Sequence, residues 1–416
     1  MTIKELSDNE FREFTDKFPF SSIYQTCEYA KIMKHEGYTP MFIGGIKNGE
    51  LLAASLLFIK KIKNYKYAYA PRGFLIDYTN KALLTEFTKD LKKYIGKKGI
   101  VAIKLSPIIL RNMYNSNGQL VGTNPQFEQI FNNLKSLGYH HFGFNSFFEA
   151  MKPRYEAMVD ISQSYQTLFR NIKREYKTKI RTAEERGIRI FRADQNELGY
   201  LYDHTKNKNS KSLDYIENSY KYFDGSDKVE YFYAKLDTEV YLKTVKKKFE
   251  EKDQEVSYLN SIVLSNKASQ KLISKKMEAD KELANYKKQL IEATNLIREY
   301  PTGLVLSSMM VVKHRSEVTL FMDGYDKRFK GFNAKHLIMW KVLEKYSSQG
   351  FKRFNLGGVT DVRIKHEKYD GLNTFKTNFN ASVFEYIGDL ELVTNGPKYF
   401  MFRQNNTSTS TDNKKK

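Results

Sequence analysis

Cysteine is nearly absent: Cys27 stands alone in 416 residues, which excludes an intramolecular disulfide and any multi-cysteine zinc or iron–sulfur site. A reducing compartment fits. Long apolar runs are missing as well. The best stretches, Leu51 to Ile59 and Gly303 to Val312, fall far short of the roughly 18 to 20 residues that span a bilayer, so any membrane contact is expected to be peripheral. The opening Met-Thr-Ile-Lys-Glu-Leu alternates charge with apolar residues, where a signal peptide would be basic and then continuously apolar, so secretion is not expected. No HExxH, GxSxG, GxGxxG or GxxxxGK[ST] pattern occurs, and His140, His141, His314, His336 and His366 are scattered without ligand spacing, so no metal site is expected.

What is present is apolar, aromatic and basic. Hydrophobic residues make up 41%, with 29 Phe and 29 Tyr, the content of a folded chain long enough for two or three domains. Against 48 acidic residues stand 69 basic ones, a formal charge of +21. A field of that size raises the local concentration of a polyanion: nucleic acid, an anionic membrane face or a phosphorylated substrate.

Residues 10–38 read as two helical segments, and Phe42 to Lys60 as two strands joined by Asn48-Gly49, a strong hairpin signal. A strand and turn at Tyr67 to Tyr78, a helix at Lys81 to Ile95, a buried strand at Ile100 to Leu105 and a helix at Gln126 to Leu137 follow, an α/β alternation expected to close a first domain near residue 150. A second domain opens with a strand at Tyr155 to Ile161, a basic helix at Tyr165 to Arg186 and a strand at Ile188 to Arg192. Its pattern stops after Leu236 and resumes at Gly303 with paired strands at Val305 to Val312 and Val318 to Met322, a helix at Lys335 to Ser348, and a strand at Phe354 to Leu356 running into a turn at Gly357-Gly358.

Between these pieces, Leu242, Val245, Phe249, Val256, Leu259 and Val263 fall at three- and four-residue steps, and Leu283, Tyr286, Leu290, Ala293 and Ile297 repeat the spacing. A polar stretch at Ser265 to Ser269 separates the two seams. The pattern predicts an antiparallel coiled-coil arm over 238–300, inserted into a second domain of 151–237 and 301–404. Residues 405–416, Ser/Thr/Asn-rich and ending in three lysines, have too little apolar area to order themselves and are expected to be a tail.

Two segments carry candidate chemistry. Arg170 to Arg192 holds nine basic residues against three acidic ones. Lys173, Lys177 and Arg181 recur every four residues, so they share a helical face that could meet successive phosphates of an RNA strand or a pyrophosphate-linked lipid; Arg174 lies beside them. Near the C-terminus, Lys376 sits among phenylalanines before a predicted strand at Ser382 to Ile387. There it could be partly desolvated and offer its ammonium to a developing oxyanion, or simply snorkel from a strand edge.

Gly371-Leu372-Asn373-Thr374-Phe375-Lys376-Thr377-Asn378-Phe379-Asn380, followed by Glu385-Tyr386-Ile387-Gly388-Asp389, resembles the C-terminal signature of the Fem/Mur family of nonribosomal peptidyltransferases. Gln25-Thr26, Arg72 to Tyr78, the basic helix ending in Gly187, the coiled-coil insert and Phe354 to Gly358 have counterparts there in the same order. The resemblance implies an α/β fold of two acetyltransferase-like (GNAT-related) domains, the second interrupted by the arm. It implies transfer of an amino acid from aminoacyl-tRNA to a stem-peptide or bridge amine of a peptidoglycan precursor, lipid II or its nucleotide-linked form, with no cofactor and no metal. It places the chain in the cytoplasm, peripheral to the anionic inner leaflet, and allows a homo- or hetero-dimer with related transferases.

Residue by residue, the resemblance gives Lys376 the catalytic task and Phe375 the shaping of its pocket. Further substrate contacts are expected at Arg72 and Lys330 and at Lys31, Lys34 and Lys211, neighbours of family phosphate positions, while the spacing read above gives tRNA or phosphate contacts at Lys173, Arg174, Lys177 and Arg181. Some family positions differ: Ser106-Pro107 stands where members often carry Asp-Pro, Met33 where a phosphate lysine aligns, and Asp214 near a phosphate arginine. Two other readings stay open: a noncatalytic RNA- or membrane-binding paralogue, and a coenzyme A-dependent N-acyltransferase.

Overall fold

Asn48 and Gly49, with φ of 52° and 83°, turn the chain between two long strands in the tight hairpin that Asn-Gly favours. The computed structural model describes residues 1–206, 211–265 and 269–412, with side chains through residue 404. Its first half runs β1 (Thr2–Glu5), α1 (Asp8–Lys17), α2 (Cys27–His35), β2 (Thr39–Lys47), β3 (Glu50–Ile62), β4 (Tyr65–Arg72), α3 (Lys81–Lys97), β5 (Ile100–Pro107), β6 (Leu110–Tyr114), β7 (Leu120–Thr123), α4 (Phe127–Ser136) and β8 (Tyr139–His141). The second continues with β9 (Tyr155–Asp160), α5 (Tyr165–Asn171), α6 (Arg174–Glu185), β10 (Ile188–Ala193), α7 (Leu198–Thr205), α8 (Leu213–Asp224) and β11 (Val229–Leu236), then α9 (Thr238–Leu264) and α10 (Gln270–Glu299). It closes with β12 (Leu304–His314), β13 (Glu317–Tyr325), α11 (Ala334–Ser348), β14 (Arg353–Val359), α12 (Glu367–Thr377), β15 (Ser382–Tyr386), β16 (Leu390–Val393) and α13 (Gly396–Asp412).

Two sheets result, ordered β1-β2-β3-β4-β5-β16-β8 and β10-β11-β12-β13-β14-β9-β15-β6-β7. They exchange strands across the boundary expected near residue 150. β16, from the far end of the chain, lies between β5 and β8, while β6 and β7 extend the second sheet. In each sheet one neighbouring pair is parallel, β4 with β5 and β13 with β14. Each half has its own apolar core. A third cluster joins them, with Phe11, Ile23, Ala30 and Ile32 of the first half against Tyr215, Ile216, Met310 and Val312 of the second.

The arm is an antiparallel pair. Thr238 donates to the Tyr300 carbonyl, Tyr241 to Glu292, and Lys252 pairs with Glu282, contacts that step along α9 as they step back along α10. Its root is continuous with the second core through Tyr241, Val245, Ala293 and Leu296. Its outer part is held by Val256, Leu259 and Ala279. At about 1.5 Å per residue the 27 residues of α9 span roughly 40 Å. Of the polar stretch between the seams, 266–268 lie outside the described residues.

Several expectations need correction. The single basic helix is two, because Ile172 and Lys173 are extended, with ψ of 143° and 139°; Lys173 is therefore the N-cap of α6 rather than part of its face. β14 does not end in a turn at Gly357-Gly358 but runs to Val359 through a bulge at that pair. Lys376 belongs to the last turn of a helix, not to a strand edge. α13 continues through Asp412 where a tail was expected, and 413–416 lie outside the described residues. Among the described residues no helix is long and apolar enough to cross a membrane.

Candidate active site

The site forms where the second sheet opens. β13 and β14 stay paired only from Glu317–Thr319 to Arg353–Asn355. β13 then follows β12, while β14 bulges and turns toward β9, pairing Gly358 with Glu156. α12 packs beside the parted end of β14. Its Asn373 accepts from the Thr360 N–H at 3.1 Å and donates to the Thr360 hydroxyl at 2.8 Å, which fixes the helix relative to the strand end.

This places Lys376 in the gap, only 8% exposed. Its Nζ donates to the Gly358 carbonyl at 2.7 Å. Gly357 has φ +77°, and a Cβ there would stand 3.6 Å from Nζ, so the missing side chain leaves a position beside the ammonium. The Gly357 N–H donates to Asn355 Oδ1 at 2.8 Å, which holds the bulge in shape. A cation buried at the edge of such a gap can stabilise negative charge that develops on an entering oxygen.

Phe375 is buried beside it in an aromatic group. Its ring lies 5.4 Å from that of Phe379, 5.4 Å from His336 and 6.1 Å from Tyr176. Lys335 sits 4.0 Å over the Phe375 ring and pairs with Asp323 at 2.9 Å. Burial, with Lys179 and Lys335 nearby, pushes His336 down to about 4, so it is neutral near pH 7. Sequence reading missed Tyr176, Lys335 and His336 as neighbours of the site. Lys335 and His336 open an amphipathic helix, a pattern that signals packing and nothing more.

A polar chain connects this gap to the first half. Arg72 ends β4, and its Nη2 donates to Glu156 at 2.6 Å and to the Pro153 carbonyl at 2.8 Å. Glu156 also accepts from Asn355 at 3.1 Å, the residue that orients Gly357. Arg72 is thus held between the halves, under the Tyr386 ring at 4.9 Å. Ser106, where the family pattern has Asp, donates to Asp389 at 2.6 Å. Asp389 also pairs with Lys104 at 2.9 Å and accepts the Met151 N–H at 2.9 Å, so β16 brings a carboxylate back to this place. Glu385 joins Arg154, Arg111, Asn112 and Tyr114 in one buried cluster. Both carboxylates belong to a motif already recognisable by resemblance, but nothing local announces their partners.

The remaining candidates are spread. Lys31 and Lys34 are exposed on α2, and Met33 between them packs into the cluster that joins the halves. Lys211 approaches the end of α2 through Glu36 at 3.4 Å and lies 3.8 Å over Tyr215. Lys330 is exposed in the 3₁₀ turn before α11. Lys173 donates to Asn117 Oδ1 at 2.9 Å, Lys177 to the Arg170 carbonyl at 2.6 Å, and Arg181 lies 5.6 Å over Phe169, while Arg174 is exposed. Cys27 is buried, which pushes its thiol up to about 11 and makes it a poor nucleophile.

The FemAB family model matches residues 6–406. Aminoacyltransferase FemA of Staphylococcus epidermidis is 27% identical over 423 residues, covering 97% of this chain and 98% of that protein. FemA of Staphylococcus aureus strain N315 is 25% identical over 410 residues, covering 96% and 97%. Among solved structures, FemX matches with a TM-score of 0.73 at 23% identity, covering 96% of this chain and 99% of that one. A tandem GNAT protein from the clavulanic acid biosynthesis pathway matches at 0.50 and 8% identity, covering 95% and 99%. These likenesses give the fold: two GNAT-like α/β domains, the second interrupted by the helical arm. With the family match running almost end to end, the chain belongs to the FemAB family.

Proposed function

We propose that the protein is a tRNA-dependent aminoacyltransferase of peptidoglycan bridge synthesis, with Lys376 as its oxyanion stabiliser. The observation that carries the reading is the near-buried Lys376 ammonium in the gap between β13 and β14, beside the unfilled position at Gly357. Attack of a deprotonated amine on an aminoacyl ester gives a tetrahedral intermediate with a negative oxygen. A cation aimed at that oxygen favours the transition state over the ground state. The ester is already activated, so orienting two large substrates supplies much of the remaining rate. FemA relatives named as aminoacyltransferases support the reaction class.

The acceptor in this reading is the stem-peptide or bridge amine of lipid II or its nucleotide-linked form. The charge of +21 attracts tRNA and holds the protein near the anionic inner leaflet. Lys173, Arg174, Lys177 and Arg181 offer phosphate contacts beside α6. The test is incubation with charged tRNA and lipid II, read by mass spectrometry of the precursor. Wild type adds one or more residues and Lys376→Met adds none at equal tRNA affinity. A wild-type protein that extends no precursor refutes the reading, and near-normal turnover by Lys376→Met refutes the mechanism.

A further inference from the structure

A second lysine lies close to the gap and has no role in the chemistry above. Lys152 belongs to the segment that links the halves. Its ammonium sits 3.2 Å from the Tyr24 ring centroid and 5.8 Å from that of Tyr29, two rings that meet edge to face at 5.1 Å. Among the described residues Nζ has neither a hydrogen-bond acceptor nor an ion-pair partner. Lys152 is partly exposed, and an ammonium that solutes can reach still gains from a charged partner that meets it.

The charges around Lys152 do not meet that need. Arg72, from β4, repels it and is itself held by Glu156 of β9. Glu156 attracts Lys152 more weakly than Arg72 repels it, and Lys211, ahead of α8, adds repulsion. Burial first, then Arg72, brings Lys152 down to about 7. Tyr24 is pushed well above its ordinary range by burial, so its hydroxyl stays protonated. With Arg72 matched by Glu156 and Lys211 by Glu36, Lys152 is left as the one positive charge here without an ion-pair partner. It therefore suits a monoanion better than a pyrophosphate.

Position ties this lysine to the reaction. Lys152 precedes Pro153, whose ring presses on Gly358 so closely that a Cβ there would stand 2.4 Å from Pro153 Cγ. Gly358 is the residue whose carbonyl receives Lys376. An acid seated on Lys152 would thus anchor a molecule beside the segment that packs on the Lys376 carbonyl partner.

We propose that Lys152, against Tyr24, is a receptor for a free carboxylate of the acceptor's peptide, and that this contact positions the acceptor amine toward Lys376. The inference rests on the acceptor reading above. Carboxylate binding favours the charged lysine, so affinity is highest below about pH 7 and falls as the pH rises through it.

The test is calorimetric titration with the soluble nucleotide-linked pentapeptide precursor, without tRNA, at about pH 6 and about pH 8.5, values that bracket the lysine's titration. Wild type should bind about tenfold or more tightly than Lys152→Met at the lower pH, the scale of a charged hydrogen bond. Lys152→Arg, charged throughout, should bind well at both. Amidating the peptide carboxylates should weaken wild type and leave Lys152→Met unmoved, whereas trimming the pyrophosphate should weaken both alike. In turnover, Lys152→Met should raise KM with kcat nearly unchanged. Should Lys152→Met misfold, the pH dependence of Lys152→Arg and the amidated precursor decide the matter alone. Equal binding by wild type and Lys152→Met, an amidation effect that persists in the variant, or a loss confined to kcat overturns the proposal. A wild-type protein that binds neither this precursor nor lipid II in detergent overturns the acceptor reading and this inference with it.

Discussion

The two sheets treat their parallel strands in opposite ways. In the first, β4 and β5 remain paired to their ends, Arg72 opposite Pro107, and the space beyond is filled by buried charges that satisfy one another: Arg72 with Glu156, Ser106 and Lys104 with Asp389. In the second, pairing stops after three residue pairs, and the space beyond holds Lys376 against a backbone carbonyl with no side chain at Gly357. Repeating one architecture has produced a half that holds and a half that opens. The lesson is about place: a buried ion pair that closes the end of a sheet is structural, while a cation held at the edge of an opened sheet, beside an unfilled position, can still answer to a transient anion.

The contrast breaks if Arg72 and Lys376 behave alike. Arg72→Met leaves Glu156 buried without its cation and should cost about 3–5 kcal/mol of stability, read as a lower denaturation midpoint. Lys376→Met should leave that midpoint within about 1 kcal/mol while lowering kcat by about 10²–10³, the loss of one oxyanion donor. If Arg72→Met keeps its midpoint, or Lys376→Met unfolds the chain, the division of labour is wrong.

Glu28 sharpens the holding side. Burial alone would raise its pKa, but hydrogen bonds from Arg12 and Ser226 and the charge of Lys228 outweigh that and keep it at about 2, below the ordinary 4.5. Because Ser226 and Lys228 belong to the second half, this carboxylate helps tie the halves together. Its folded pKa is depressed, so its contribution is complete above about pH 4.5 and fades as pH falls toward 2. Wild type should therefore exceed Glu28→Gln by about 3 kcal/mol near neutrality, and the gap should close in acid. Parallel stability curves for the two proteins across that range would show that Glu28 does not make this tie.

Much of this arrangement was legible where local chemistry decides the structure. Asn48-Gly49 announced its hairpin, the three- and four-residue spacing announced the arm, and the helix over 335–348 starts one residue earlier than its pattern suggested. Strand exchange was not legible. Nothing in 110–114 or 120–123 says that these strands extend a distant sheet, and nothing in 390–393 says that it inserts between β5 and β8, because partner choice is non-local and a strand's own pattern fixes only its faces. The break at Ile172–Lys173 was hidden because the residues around it keep helical spacing through an extended kink. At the site, Lys376 and Gly357-Gly358 were each visible as separate pieces. Their meeting was not, since it depends on the bulge that Asn355 holds and on the Arg72–Glu156 pair behind it.

Gly357 gives the smallest and most selective comparison. Alanine there must adopt φ +77°, at a cost of about 1–2 kcal/mol for a left-handed residue. Gly37 has φ +79° with nothing within 4 Å of a Cβ, so Gly37→Ala bears the same backbone cost without touching the site. The two variants should lose similar stability in denaturant. Only Gly357→Ala should slow turnover, by about tenfold, equivalent to about 1.4 kcal/mol of barrier, because its methyl would stand beside the Lys376 ammonium, where the proposed mechanism puts the reacting oxygen. Equal kcat in the two variants would mean that the unfilled position at Gly357 serves the fold of the bulge and not the reaction, and the open half would then have to be understood as strand geometry alone.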